Sequence, residues 1–143
     1  MRTKLFVVLV LMLTISLLLG ACTKTTGGDG EWQDILWTLE SYGPPDNLQS
    51  VLRNANITLR FDSNFKQAVG SGGCNHYFGS YTIKSNCGLQ ISGLGATEMA
   101  CKDSVLMQQE QRYFGMLQDA DKIEVKDGEL RITCGTEVLV YIH

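Results

Sequence analysis

The sequence predicts a mainly β (α+β) fold, a small antiparallel β-barrel with one α-helix packed on it. Several segments alternate apolar and polar residues with the period of two that is typical of half-buried strands. An Asp-Gly pair joins two of these segments, which is the strongest short-range signal for a β-hairpin. Only one stretch has helical spacing. A chain of 143 residues is long enough for one such domain, and short strands separated by turns are typical of small barrels.

The first strands lie in the N-terminal half of the domain. Residues 57–61 alternate apolar and polar, turn-forming residues follow at 62–64, and residues 65–69 read as the returning strand. Further short strands are predicted between glycine-bearing turns, at 37–42, 77–84 and 89–92.

The clearest prediction is the hairpin of residues 123–132. A type I′ turn at Asp127-Gly128 places Val125 opposite Leu130 and Ile123 opposite Ile132 on the buried side. On the solvent side the same register pairs Lys126 with Glu129 and Glu124 with Arg131, so opposite charges face each other. Residues 136–142 are apolar on both faces, as in a strand that is covered on both sides.

The helix is predicted over residues 103–119, with Asp103 or Ser104 as the N-cap. Its apolar side chains recur at helical spacing and form a stripe that should face the barrel, namely Leu106, Tyr113, Phe114 and Leu117, with Glu110 at the same spacing. The polar side chains of Gln108, Gln111, Arg112 and Gln118 should face water.

The N-terminus has the features of a secretion signal. Arg2 and Lys4 precede an apolar run over residues 5–19, and small residues lead to Cys22. The run is shorter than the roughly 20 residues that span a bilayer. The ending Leu-Gly-Ala-Cys resembles a bacterial lipoprotein signal, in which the cysteine is lipidated and becomes the first residue of the mature protein. The alternative is an uncleaved membrane anchor.

These features predict three segments: a lipoprotein signal peptide at 1–21, a flexible glycine-rich linker at 22–31 and a folded domain at 32–143. The predicted location is the cell envelope, facing the extracytoplasmic space, with the lipid on Cys22 as the contact with the membrane. Residue 23 is Thr rather than Asp, which in a Gram-negative cell would indicate the outer membrane.

Charge and cysteine content exclude several classes of function. The net charge is −3, or −5 without residues 1–21, whereas nucleic-acid binders usually carry a basic excess.

With Cys22 lipidated, four cysteines remain and three disulfide connectivities are possible. Cys74 and His76 could begin a metal site, but the intervals of 13, 14 and 33 residues between the four cysteines do not match zinc spacing. We therefore expect disulfides and no metal, because export brings thiols into an oxidising space.

The glycine-rich run at residues 70–81 does not match a catalytic or phosphate-binding motif. No Lys follows it as in a phosphate-binding loop, and its continuation is strand-prone rather than helical. Ser71 and Ser80 lack the Gly-x-Ser-x-Gly frame of a nucleophilic serine. The chain has two histidines, and His143 is at the chain end, where fraying is usual. A histidine-dependent enzyme would therefore require an exposed His76 in a concave site. We expect no enzymatic activity and no cofactor.

Taken together, these residues resemble the META/HslJ family of small envelope proteins. The resemblance covers residues 32–143 and begins with Trp37-Thr38-Leu39. Its centre is Gly70-x-Gly72-Gly73-Cys74-Asn75-x-Tyr77-x-Gly79-x-Tyr81, and Thr97-x-Met99-Ala100-Cys101 completes the core.

The resemblance implies a lipocalin-like barrel with one helix, often lipid-anchored and in some members associated with heat shock or antibiotic tolerance. Cys74 and Cys101 match the cysteine positions of the family and are the first expected disulfide, which leaves Cys87 and Cys134 as a weaker second pair. Gly72 and Gly73 are expected where the backbone bends or approaches another strand closely. The Asn75 side chain is expected to cap local backbone groups.

The favoured function is a non-enzymatic envelope lipoprotein that binds or supports another envelope component, with a link to stress or antibiotic tolerance implied by the family resemblance. The alternative is a barrel that carries a small ligand in its interior. The identity of the partner and the oligomeric state are left open by the sequence.

Overall fold

A computed structural model describes residues 31–99 and 101–143 of the chain. In these residues there are nine strands and one helix. The strands are β1 (Trp37–Gly43), β2 (Gln49–Ser50), β3 (Ile57–Asp62), β4 (Gln67–Gly72), β5 (His76–Lys84), β6 (Gly88–Ala96), β7 (Ala120–Lys126), β8 (Glu129–Cys134) and β9 (Glu137–Ile142). Helix α1 spans Ser104–Gln118, and a 3₁₀ turn, Ser85–Cys87, joins β5 to β6.

Eight of the strands close into an antiparallel barrel. Each of β3 to β9 pairs with its neighbour in the chain, β1 pairs with β3, and β9 pairs back onto β1. The two-residue strand β2 adds to the free edge of β1 beyond β3. The predicted mainly β barrel with one packed helix is therefore confirmed.

One seam of the barrel has a single paired position. β6 and β7 are paired at a single position, Gly88 with Lys122, whereas the other neighbouring barrel strands pair at two to seven positions. The connection between these two strands contains α1, which packs against β6, β4, β8 and β9.

The barrel interior is filled by large apolar and aromatic side chains. Every barrel strand contributes to it with alternate residues, as the period of two requires. The side chains that are almost completely buried include Trp37, Ile57, Leu59, Phe61, Leu89, Tyr113, Leu117, Leu130, Ile132, Leu139 and Tyr141. Packing of this kind leaves the described interior occupied by the protein's own side chains.

The barrel has two different ends. The base consists of residues 31–36, the β3–β4 turn (63–66), the β5–β6 turn (85–87) and the β7–β8 turn (127–128). The helix end consists of α1, the β4–β5 turn (73–75), the segment that precedes α1 and the β8–β9 turn (135–136). Antiparallel pairing places alternate turns at opposite ends, so the chain enters the barrel at its base.

Residues 32–36 cross the base and are fixed there. The Trp32 ring packs edge-on against Phe61 at 5.0 Å between centroids, and the Trp37 indole N–H donates to the Trp32 carbonyl at 2.9 Å. The Asp34 carboxylate accepts hydrogen bonds from the Ser63 amide and hydroxyl. The start of the domain is therefore bound to the base through both core and turn residues.

The β7–β8 hairpin has the predicted register. Val125 pairs with Leu130 and Ile123 with Ile132, while Asp127 and Gly128 both have positive φ as a type I′ turn requires. The ion pairs differ from the prediction, because they run along each strand, from Lys122 to Glu124 and from Arg131 to Glu129. Residues two apart share a face of a strand, so long side chains can meet there as well as across the ladder.

The boundaries of β4 and β6 differ from the sequence prediction for identifiable reasons. β4 begins at Gln67 rather than at residue 65, because the Asp62 carboxylate accepts from the amides of Asn64 and Phe65 and thereby lengthens the turn. β6 extends to Ala96 rather than ending at 92, with a bulge opposite β5 that includes Gly93 at φ +63°. The apolar strand near the C-terminus is buried on both faces over Val138–Tyr141, as predicted.

Helix α1 also agrees with its prediction. Asp103 is the N-cap, and its carboxylate accepts from the amides of Val105 and Leu106. Among residues 31–99 and 101–143, no helix is long and apolar enough to cross a membrane.

A close approach of β3 and β4 predicts the effect of a glycine substitution. A Cβ atom at Gly70 would lie 2.0 Å from the Thr58 carbonyl oxygen, which is backbone and cannot rotate away. Gly70→Ala should therefore destabilise the protein by about 1–3 kcal/mol or more, measured by urea unfolding.

Gly115→Ala is the matched control, because no atom outside the helix backbone lies within 4 Å of the added methyl group. Alanine at this helical position should stabilise by about 0.5–1 kcal/mol. Equal stability of the Gly70→Ala variant and the unsubstituted protein would contradict the described packing of β3 on β4.

Candidate functional site

The β4–β5 turn is bound by a carboxylate from α1. Gly73 has φ +109°, which turns the chain so that the amides of Cys74 and Asn75 point in one direction. Both donate to Glu110 Oε2, at 2.9 and 2.6 Å. Glu110 is only 3% exposed, and its other oxygen, Oε1, accepts from the Asn75 side-chain amide at 2.6 Å. A buried carboxylate thus receives three donors.

Asn75 connects this turn to the segment that precedes the helix. Its Oδ1 accepts from the Met99 amide at 2.7 Å and from the Thr97 hydroxyl at 3.1 Å. The Asn75 side chain therefore donates to Glu110 and accepts from Thr97 and Met99, which lie 22 and 24 positions later in the chain. Three of the four hydrogen bonds that an Asn side chain can make are formed here.

A disulfide closes the same arrangement covalently. Cys74 is bonded to Cys101, with their Cα atoms 5.9 Å apart, which agrees with the first pairing expected from the family resemblance. Residues 97–99 and 101–103 are thus fixed to the turn through Thr97, Met99 and Cys101. Its Met99 side chain, and the Val105 side chain at the start of α1, nevertheless remain 56% exposed. We call Met99, Val105 and residues 101–104 the helix-end surface.

Gly72 allows α1 to approach the end of β4. A Cβ atom there would lie 2.6 Å from the Phe114 ring and 2.7 Å from Glu110 Oε2. The close approach predicted at Gly72 is therefore made to the helix, whereas the bend is made at Gly73. The sequence predicted a bend or a close approach to another strand at these two glycines, and Gly72 also pairs with Ile57 of β3.

A second polar cluster lies inside the barrel beneath α1. The hydroxyls of Tyr77 and Tyr113 are 2.7 Å apart, the Tyr141 hydroxyl donates to Tyr113 at 3.2 Å, and Tyr77 also donates to the Thr58 carbonyl. Burial raises the pKa of all three phenols well above the usual value of 10. The hydroxyls thus satisfy one another as neutral groups.

Two sequence predictions about individual residues are corrected. Asn75 does not cap local backbone groups but bridges distant segments. The expected Cys87–Cys134 pair is not formed, because Cys134 is a free, buried thiol. Strand β7 lies between them, since Gly88 pairs with Lys122 and Lys122 with Thr133. Two ladder spacings of about 4.8 Å exceed the Cα separation that a disulfide allows.

The remaining predicted positions have different outcomes. Cys22, the predicted lipidation site, lies outside the described residues. His76 is exposed at the start of β5, with its backbone bonded to Thr97. No cluster of three or more potential metal ligands occurs in residues 31–99 and 101–143. Three of the acidic residues near the hairpin, Glu124, Asp127 and Glu129, line a shallow surface depression together with Lys126 and Arg131.

Sequence reasoning missed the importance of Glu110. The residue has the helical spacing of the apolar stripe, four positions after Leu106 and three before Tyr113. A carboxylate at a buried position of a helix face requires donors, and this was the available signal. Gln109 is buried beside it, and its Oε1 accepts from the Leu52 amide at 3.0 Å.

Comparison with known proteins now gives the family. The sequence model of the META domain matches residues 31–143. The chain belongs to the META domain family. An NMR structure of a protein from Burkholderia xenovorans has a TM-score of 0.65 and 26% identity, covering 78% of this chain and 82% of that one. A second NMR structure has a TM-score of 0.61 and 22% identity, covering 78% and 91%.

A crystal structure of a DUF4847 family protein from Bacteroides vulgatus shares the fold of this META domain. Its TM-score is 0.55 at 10% identity, with 82% of this chain and 97% of that one covered. No match was found among curated proteins.

Removal of the charge on Glu110 should destabilise this META domain. Glu110→Gln replaces one acceptor oxygen by an NH₂ group that faces either the turn amides or the Asn75 amide. We expect a loss of about 2–3 kcal/mol in the free energy of unfolding, measured by urea unfolding under oxidising conditions. Glu98→Gln, at an exposed position, should change stability by less than about 0.5 kcal/mol; similar losses in both variants would contradict the role assigned to Glu110.

The thiol of Cys134 predicts a loss of stability at alkaline pH. Burial raises the pKa of this thiol to about 12 from 9 in the folded protein. Between these values the unfolded chain releases a proton that the folded chain keeps, so stability falls as pH rises through this range. The buried tyrosines act in the same direction above their usual pKa.

The free energy of unfolding should therefore decrease as the pH is raised from 8 to 11. The free energy of unfolding of the Cys134→Ala variant should decrease less steeply over the same range. In the native protein at pH 8 the Cys134 thiol should not react with a disulfide reagent, whereas unfolding should expose it. Rapid reaction of this thiol in the folded protein would contradict its burial.

Proposed function

We propose that this protein is a non-enzymatic envelope lipoprotein that is tethered through Cys22 and binds another envelope component through the helix-end surface. The lipoprotein-like sequence before Cys22 supports the tether. A lipoprotein cysteine carries several acyl chains. Two or more acyl chains are needed for stable anchoring, so this lipid would hold the protein firmly at a membrane.

The observation that carries the proposal is the rigid presentation of the helix-end surface. Met99 and Val105 are exposed apolar side chains, yet the backbone that bears Met99 is fixed by Asn75 and by the Cys74–Cys101 disulfide. A surface that is ordered before binding loses little conformational entropy when a partner docks. The surface also lies opposite the base, where a tether would enter.

The filled interior favours partner binding over the alternative of a small-ligand carrier. The side chains of Trp37, Phe61, Tyr113 and Tyr141 occupy space that a ligand would require. A ligand could enter only by displacing packed core residues, at a cost of several kcal/mol.

The chemistry of the nucleophilic groups also favours a binding role. The thiol of Cys134 is buried with a pKa of about 12, so it stays protonated and poorly nucleophilic at neutral pH. The buried tyrosines likewise stay neutral. A role in heat shock or antibiotic tolerance is part of the proposal only through the family resemblance.

Mass spectrometry of the protein purified from membranes tests the tether. We expect a mature chain that begins at Cys22 and carries acyl groups, and a Cys22→Ser variant that is not retained in the membrane fraction. An unmodified Cys22 in the membrane-purified protein would refute the lipoprotein assignment.

Site-specific photocrosslinking in intact cells tests the partner-binding surface. A photoreactive residue at Val105 should give a reproducible adduct with one envelope component. The same residue at Gln90, exposed on the outer wall of the barrel, should not give that adduct. Identical adduct patterns at both positions, or none at Val105, would count against the helix-end surface.

A further inference from the structure

Four large apolar side chains are exposed around the base of the barrel. Leu36, Phe65, Ile83 and Ile142 are between 43% and 77% exposed, Phe65 the most. All four lie at the base because β1 begins there, β9 ends there, and the β3–β4 and β5–β6 connections turn there. We call these four residues the base ring. They include half of the exposed large apolar side chains of residues 31–99 and 101–143.

The turn that bears Phe65 is held in a fixed conformation. The Asp62 carboxylate accepts from the Phe65 amide at 2.9 Å, and the Lys66 carbonyl accepts from the Tyr81 amide at 2.9 Å. Lys66 has φ +54°, which completes the turn before β4 begins. Phe65 is therefore presented outward by a rigid turn rather than by a mobile loop.

Cations accompany the apolar side chains of the base ring. Lys66 follows Phe65 and Lys84 follows Ile83, and both lysines are exposed. The acidic groups of this region include Asp34, which is bonded to Ser63, and Asp62, which is bonded to the turn amides and to Arg60. Glu31, Asp34 and Asp127 are exposed. Apolar tips beside lysines are typical of surfaces that rest in the headgroup region of a bilayer.

The chain reaches the domain at this same end. Residue 31 adjoins the base, and eight residues lie between it and Cys22. Nine residue-to-residue steps span at most about 30 Å. A lipid on Cys22 would therefore keep the base close to the membrane.

We propose that the base ring rests on the bilayer surface, with Phe65 in the headgroup region and Lys66 and Lys84 against anionic lipid. The inference rests on the proposed tether, because single turns of this size bind membranes weakly unless the local concentration is high. Contact at the base fixes the orientation of the barrel, so that the helix-end surface faces away from the membrane.

Tryptophan quenching on vesicles tests the inference independently of native lipidation. The residues up to and including Cys22 are replaced by a hexahistidine tag, and the protein is bound to vesicles that contain a nickel-chelating lipid, phosphatidylglycerol and brominated phosphatidylcholine. Phe65→Trp places a reporter on the base ring, and Val105→Trp places one on the helix-end surface. The native tryptophans, Trp32 and Trp37, contribute the same background to both.

On binding to the vesicles, the fluorescence added by Phe65→Trp should shift to shorter wavelength and be largely quenched by the brominated lipid. The fluorescence added by Val105→Trp should remain unquenched. A Lys66→Glu, Lys84→Glu double substitution in the Phe65→Trp background should reduce the quenching. This reduction should be lost when phosphatidylcholine replaces phosphatidylglycerol.

Equal quenching of the two reporters would overturn the inference. A blue shift of the Phe65→Trp reporter without bromine quenching would also overturn it, because the base would then contact protein, such as a second copy of the chain. Since the tag supplies the tether, failure here is distinguishable from an unmodified Cys22 in the native protein, which would refute the proposed function instead.

Discussion

The carboxylate of Glu110 is the interaction on which the helix end of this META domain depends. It is buried, and a buried charge is tolerated only when donors replace the water that it has lost. Two amides of the β4–β5 turn and the Asn75 side chain supply those donors. Because Asn75 also accepts from Thr97 and Met99, one side chain of α1 determines the position of the turn, of the segment before the helix and of the disulfide that joins them.

The barrel and the helix stabilise each other through this arrangement. Strands β6 and β7 share one paired position, so the barrel is not closed there by a continuous ladder of hydrogen bonds. The connection between these strands contains α1, which packs against β6, β4, β8 and β9, and Tyr113 extends from the helix into the interior to bond Tyr77 and Tyr141. Helix docking is therefore part of barrel closure, and loss of the Glu110 contacts should weaken both.

The two ends of the barrel have different surface chemistry, which gives the proposed functions a common geometry. The base combines apolar side chains with lysines and receives the chain from the N-terminal side. The helix end presents Met99 and Val105 on a backbone fixed by a disulfide. A lipid tether, a bilayer contact at the base and a partner contact at the opposite end are compatible in one orientation of a rigid domain.

The sequence by itself determined the mainly β class, the helix, the β7–β8 register and the Cys74–Cys101 disulfide that the family resemblance implied. These features depend on residues close in the chain, such as Asp127-Gly128, or on a motif of fixed spacing. The tertiary structure decided the partners of Glu110 and Asn75, the free thiol of Cys134 and the positions of the exposed apolar residues at the two ends. Each of these depends on strand order and helix docking, which bring together residues that are far apart in sequence.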